Sequence, residues 1–280
     1  MTKKIIILLL IIMMVFSFVL FGCGGTLAEK TAVDAAAEES EEQLEETSEE
    51  VTGEKTEGES IEGETIEEPA EEESSLAEGE VTFKTEDGID INGNIFGTGS
   101  KWVILSHMYP TDQTSWFDFA RELADKGYIV LTYDFRGYGK SGGDQDIPNI
   151  YKDLEAALNF AKQYDAEEIF LIGASMGGTA SLIVASKEEV DGVVSFSGAM
   201  EFMGLSAEGI VQDIGCPKLF IASQGDESAA DAANKFYEES STSKYMTILN
   251  GSSHGTFVFD EEPDEAEIAK QNIFDFLEFG

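Results

Sequence analysis

The sequence predicts an α/β domain, an eight-stranded and mostly parallel sheet with helices on both faces, over residues 81–280 of the 280-residue chain. Three observations predict it. Six short apolar runs recur between Trp102 and Leu249, amphipathic helical stretches alternate with them, and a hairpin pattern comes first. Continuous apolar strands are those buried on both faces, which parallel strands with crossover helices are.

The hairpin comprises Val81-Thr82-Phe83 and Ile89 to Phe96, alternating apolar and polar around Asp87-Gly88, the signature of two antiparallel strands. The six buried runs are Trp102–Leu105, Tyr128–Tyr133, Ile169–Ile172, Val193–Phe196, Leu219–Ala222 and Tyr245–Leu249. Between them, Trp116, Phe119, Ala120 and Leu123 form one helical stripe that Gly127 ends, and Leu154, Ala157, Leu158 and Ala161 form another. Gly178 to Ala185 reads as a third helix, and a last one starts near Pro263 with Ile273, Phe276 and Leu277 on its apolar face. Between Phe196 and Leu219 there is room for little or no lid.

Two further segments precede the domain. Met1-Thr2-Lys3-Lys4 and the apolar run Ile5 to Phe21, interrupted only by Ser17, have the charged start and hydrophobic stretch of a secretion signal, slightly short of the roughly 20 residues of a spanning helix. Leu20-Phe21-Gly22-Cys23 then resembles the lipobox of bacterial lipoproteins. That resemblance implies a signal peptide over 1–22, lipidation of Cys23 and attachment to the outer face of the cell membrane; an uncleaved membrane anchor is the alternative. Residues 23–80 follow as a linker. From Gly24 to Glu80 there are 22 acidic residues, two lysines and no aromatic residue, so the segment is expected to stay disordered and to act as a self-repelling tether.

The net charge of −39 disfavours nucleic acid as a partner, since such binding needs clustered Lys and Arg. With Cys23 assigned to the anchor, Cys216 has no intrachain disulfide partner and reads as a small buried hydrophobe.

A serine hydroxyl needs exposure, a neighbouring base and oxyanion donors before it attacks a carbonyl. Gly173-Ala174-Ser175-Met176-Gly177 lies directly after one predicted strand and before a predicted helix, the strand–turn–helix setting of a nucleophile elbow. The five-residue pattern alone is weak; the flanking elements carry the inference. Of the two histidines, His254 lies just past the last strand and is the candidate base. Asp226 follows the Leu219–Ala222 run and is the candidate orienting acid, with Glu227 and Asp231 as neighbouring alternatives.

In this order, these motifs resemble the α/β-hydrolase superfamily across residues 81–280, and the compact layout resembles its dienelactone hydrolase-like branch, with Ser175 where those enzymes carry cysteine. The resemblance implies the α/β-hydrolase fold and carboxylic ester hydrolysis through Ser175, His254 and Asp226 by way of an acyl-enzyme. Ser106-His107-Met108-Tyr109-Pro110 resembles the His-Gly-x-Pro loop of this superfamily, with Met108 in place of glycine. This implies an oxyanion hole from the backbone N–H groups of Tyr109 and Met176, with the His107 side chain fixing the loop. Asp134 and Arg136 lie in a stretch common in the fold after its fourth strand and are expected to tie that loop to its neighbours. No Cys/His metal spacing and no Gly-rich phosphate loop occur, so no cofactor or metal is expected, and the resemblance implies a small-molecule ester as the partner. Two other classes stay open: a serine peptidase or amidase with the same residues, and a non-catalytic surface binding protein.

Overall fold

The computed structural model describes residues 76–241 and 243–279. The signal segment, Cys23 and the linker as far as residue 75 lie outside the described residues. One eight-stranded sheet runs through the domain: β1 (Gly79–Lys84), β2 (Asp90–Phe96), β3 (Lys101–Ser106), β4 (Ile129–Tyr133), β5 (Glu168–Ala174), β6 (Gly192–Phe196), β7 (Lys218–Ser223) and β8 (Lys244–Leu249). Their spatial order is β1-β2-β4-β3-β5-β6-β7-β8. The pairs β1–β2 and β2–β4 are antiparallel and all others are parallel. The sheet begins two residues before the expected boundary, because Gly79 and Glu80 still pair with Ile95 and Asn94.

Helices α1 (Phe117–Asp125), α2 (Tyr151–Ala161), α3 (Met176–Ala185), α4 (Glu227–Glu239), α5 (Phe257–Glu261) and α6 (Pro263–Phe279) cover the sheet. The period-two geometry of the strands divides the core into two layers. On β3, Trp102 and Ile104 face the layer holding Leu154, Ala180 and Phe236 from α2, α3 and α4. Val103 and Leu105 face the other, with Phe119 and Leu123 of α1 and Ile273, Phe276 and Leu277 of α6. Burying one such aliphatic or aromatic side chain contributes roughly 1.5–3 kcal/mol, so the alternation along β3 holds helices to both faces. Trp116, expected on the first helix, falls instead in a 3₁₀ turn (Gln113–Trp116) leading into α1; it is still fully buried.

The parallel strands bring their carboxyl ends to one edge. Ser106 is in register with Tyr133 and Gly173, Ala174 with Phe196, and Ser223 with Leu249. The loops that follow these residues share that edge, where open α/β sheets bind ligands. Between β6 and β7 the only regular pieces are a two-stranded ribbon (Glu201–Phe202 with Leu205–Ser206) and a short 3₁₀ turn.

Candidate active site

Ser175 is the single residue between β5 and α3, with φ 50° and ψ −117°. A non-glycine residue in such a sparsely populated region costs on the order of 1–3 kcal/mol and persists only where its surroundings dictate it. Here they do. The Ser175 N–H donates to Phe196 O at 2.8 Å, and its carbonyl accepts from the Thr179 N–H at 3.0 Å. A Cβ on Gly173 would overlap the Gly177 carbonyl, and one on Gly177 would run into the carbonyls of Ser106 and His107. The two glycines let the turn close and let β3 approach it. Ser175 is left 8% exposed.

Asp226 occupies the N-cap position of α4, yet its side chain makes no cap hydrogen bond. An aspartate there ordinarily caps its own helix. Instead its Oδ2 lies 2.5 Å from His254 Nδ1. A carboxylate can only accept, so Nδ1 is the donor, and in the neutral ring Nε2 is left as the acceptor. Glu227 and Asp231 are exposed, and the structure joins neither of them to His254 by a hydrogen bond. The loop around His254 is held at several points. Ser223 Oγ donates to Ser253 O at 2.7 Å, and the Gly255 N–H donates to Ser197 Oγ at 3.1 Å. Glu262 Oε1 accepts the amides of Ser252 and Ser253 at 2.8 and 3.1 Å, and the Ser252 amide bond above all holds the Glu262 carboxyl below its ordinary range.

A Cβ on Gly255 would lie 3.3 Å from Ala174 Cβ, so the residue after His254 adjoins the residue before Ser175. The three predicted side chains therefore share one edge. No hydrogen bond joins Ser175 Oγ to His254 among the described residues; such contacts often tighten only once substrate is bound.

The two amides expected as oxyanion donors belong to the segments that follow β5 and β3. Met176 opens α3, and the first amides of a helix have no partner within it. Tyr109 follows Met108, whose carbonyl accepts from the Thr111 N–H and hydroxyl, both at 2.9 Å. Met108, which stands where the resembled loop has glycine, turns its side chain into the core, and its sulfur lies 3.5 Å from Thr256 Oγ1.

His107 is fully buried. Its Nδ1 lies 3.0 Å from Met108 O, and its Nε2 accepts the Phe135 N–H at 3.1 Å. Burial lowers its pKa, so the ring is neutral and splints the loop. Asp134 accepts from Gln113 and from the Lys140 N–H. Arg136 bridges buried Asp153 at 2.7 Å and Asp87 at 2.9 Å. Both residues tie loops together, and neither hydrogen-bonds to His254. Cys216 is half-buried rather than fully buried, and burial raises its thiol pKa.

Residues 100–212 match the family model described as "Serine aminopeptidase, S33", a stretch that includes Tyr109, Ser175 and Met176 but ends before Asp226 and His254. Among curated proteins, the alpha/beta hydrolase domain-containing protein aho-3 of Caenorhabditis elegans is 30% identical over 144 residues, which is 45% of this chain and 43% of that one. The 2-hydroxy-6-oxononadienedioate/2-hydroxy-6-oxononatrienedioate hydrolase of Escherichia coli is 33% identical over 122 residues, 41% of this chain and 42% of that one. The chain thus spans less than half the length of these relatives. An esterase of Pyrococcus furiosus superposes with a TM-score of 0.64 at 20% identity, covering 78% of this chain and 95% of that one.

The chain has the α/β-hydrolase fold. Fold, family match and curated relatives together support an α/β-hydrolase of the serine-hydrolase type. Sequence reasoning missed Ser197 and Glu262. Ser197 follows β6 in Ser195-Phe196-Ser197-Gly198 and has φ 52°, which no sequence pattern announces. Glu262 sits in the run Asp260-Glu261-Glu262, which reads as solvated surface.

Proposed function

We propose that the protein is a carboxylic ester hydrolase using Ser175 as nucleophile, His254 as base and Asp226 as orienting acid. The observation that carries this reading is the strained, glycine-enclosed Ser175 at the same sheet edge as a His254 whose Nδ1 is committed to Asp226. Ser175 Oγ attacks the ester carbonyl as His254 Nε2 takes its proton. The oxyanion is met by the amides of Tyr109 and Met176, donors fixed before the charge develops. His254 then protonates the departing alkoxide, leaving an acyl-enzyme. Water, deprotonated by His254, attacks that intermediate, and the acid leaves as Ser175 regains its proton. The reaction needs no metal or organic cofactor.

The compact layout supports a small-molecule ester as substrate, and an esterase stands among the similar folds. The lipobox resemblance at Cys23 supports a domain tethered outside the cell membrane by its acidic linker, and incorporation of labelled palmitate that Cys23→Ala abolishes would test that placement. A peptidase reading is favoured by one observation, the aminopeptidase description of the matching family. Turnover of matched short p-nitrophenyl esters and p-nitroanilides separates the two. Ser175→Ala should lower ester turnover by roughly a thousandfold or more and abolish labelling by a fluorophosphonate probe while leaving the unfolding temperature in place. Comparable turnover in that variant would overturn the mechanism.

A further inference from the structure

Among the described residues, four non-glycine residues have positive φ: Ser175, Ser197, Met203 and Ser243. The first two build the site. Met203 has φ 50° and precedes Gly204 at φ 90°, and together they turn the ribbon in which Phe202 pairs with Leu205. Two central residues at positive φ make the turn for which Asn-Gly is favoured, because asparagine tolerates that conformation and methionine does not. Met203 is also 63% exposed. Neither local conformation nor burial accounts for a methionine there, and such breaches of local preference collect at functional positions.

The ribbon is held firmly. The Gly204 N–H donates to Glu201 Oε1 at 2.5 Å, the Ala207 N–H to Met200 O at 2.8 Å, and Thr179 Oγ1 to Ala199 O at 2.9 Å. Leu205 is buried, and Gly204 abuts Pro148. The Phe202 ring centroid is 5.8 Å from that of Tyr109. The ribbon leaves the sheet after β6, yet it touches Tyr109, which follows β3, and Pro148, which follows β4. The end of β5 lies between those strands, so the ribbon passes over the end of the sheet that carries Ser175.

We infer that Tyr109, Phe202 and Met203 form the binding surface for an unbranched apolar acyl chain, which makes medium-chain acyl esters the favoured substrate class. This rests on the reading of Ser175 as nucleophile. The alcohol half of an ester must lie toward His254, which protonates it. The acyl half lies on the other side of the carbonyl, and the strand order places the loop of Tyr109 and the loop of His254 on opposite sides of β5. A flexible thioether suits a methylene chain of variable path.

The test compares p-nitrophenyl acetate and octanoate on the full chain and on Met203→Asn. The unaltered protein should prefer octanoate in kcat/KM. The variant should lower the octanoate-to-acetate ratio of kcat/KM roughly tenfold and unfold at the same or a higher temperature, because asparagine suits the turn. Normal acetate turnover with an unchanged octanoate-to-acetate ratio would overturn the acyl surface alone. An equal loss on both esters with a lower unfolding temperature would assign Met203 to the fold and also overturn it. Absence of acetate turnover and of fluorophosphonate labelling in the unaltered protein would overturn the hydrolase reading, and this one with it.

Discussion

The nucleophile and the histidine reach the same edge of the sheet by different means. Ser175 is held by main chain: its amide donates to Phe196 O, its glycine neighbours lie against carbonyls, and α3 behind it is buried along its whole length. His254 is held by side chains. It follows β8, an edge strand half open to solvent, and its ring is 38% exposed. Its loop hangs on Asp226, Ser197, Ser223 and a carboxylate row in which Glu262 accepts two amides, Glu261 the Ser253 hydroxyl and Glu265 the Asn250 amide. Main chain in contact with main chain cannot yield to substitution, whereas a loop held by carboxylates can loosen without unfolding the domain. Damage to the first half should therefore appear as lost fold, and damage to the second as lost activity.

The largest effect is expected at Gly177. A side chain there meets the carbonyls of Ser106 and His107, which belong to β3 and its loop and have nowhere to move. Gly177→Val should fail to accumulate as folded protein, or unfold on the order of 10 °C or more below the unaltered chain. Gly215→Ala is the matched control, since a Cβ there meets nothing within 4 Å. Unfolding of Gly177→Val within a degree of the control, followed by circular dichroism, would break the contrast.

Glu262 probes the other half. Glu262→Ala frees the amides of Ser252 and Ser253, and a misplacement of about 1 Å in a catalytic group can lower turnover roughly a hundredfold. The expected result is a kcat loss of about ten- to a hundredfold, with KM and the unfolding temperature little changed. Glu262→Gln, which keeps an oxygen acceptor, should recover most of the rate. The bonded carboxylate has a lowered pKa, so its hold is complete above the ordinary carboxylate range and is lost only as pH falls through that lowered value. Glu262→Ala with full kcat would show that the loop keeps its shape without the clamp.

The same contrast explains what could be read in the sequence. The six apolar runs, of which only Tyr245–Leu249 turns out to be an edge strand half open to solvent, and the position of Ser175 between a strand and a helix are local patterns, carried by neighbours in the chain. The Asp226–His254 pairing follows chain order, since both lie just past consecutive strands. Ser197 meets the histidine loop through a bond spanning 58 residues, and Glu262 is surrounded by other acids, so nothing nearby marks either. The ribbon is also silent: Met203 looks like any apolar residue until its backbone angle is known. What the main chain builds was legible; what side chains clasp across distance was not.

The smallest effect concerns His107, which belongs to the nucleophile half although it is a histidine. Burial lowers its pKa below the ordinary 6.5, with Met108 O, Asp134 and Asp112 opposing that shift only in part. The folded protein thus binds fewer protons at this site than the unfolded chain does below pH 6.5. By linkage, the stability it contributes is complete above that pH and declines as pH falls below it. Unfolding temperatures between pH 5 and 8 should rise and then level off, by on the order of a few degrees. His107→Gln can still donate to Met108 O and accept from the Phe135 N–H, but it does not titrate, so its curve should lie lower and lack that component of the rise. Identical slopes for the two proteins would mean that His107 is not held neutral, and that the loop of Tyr109 is splinted by its other contacts alone.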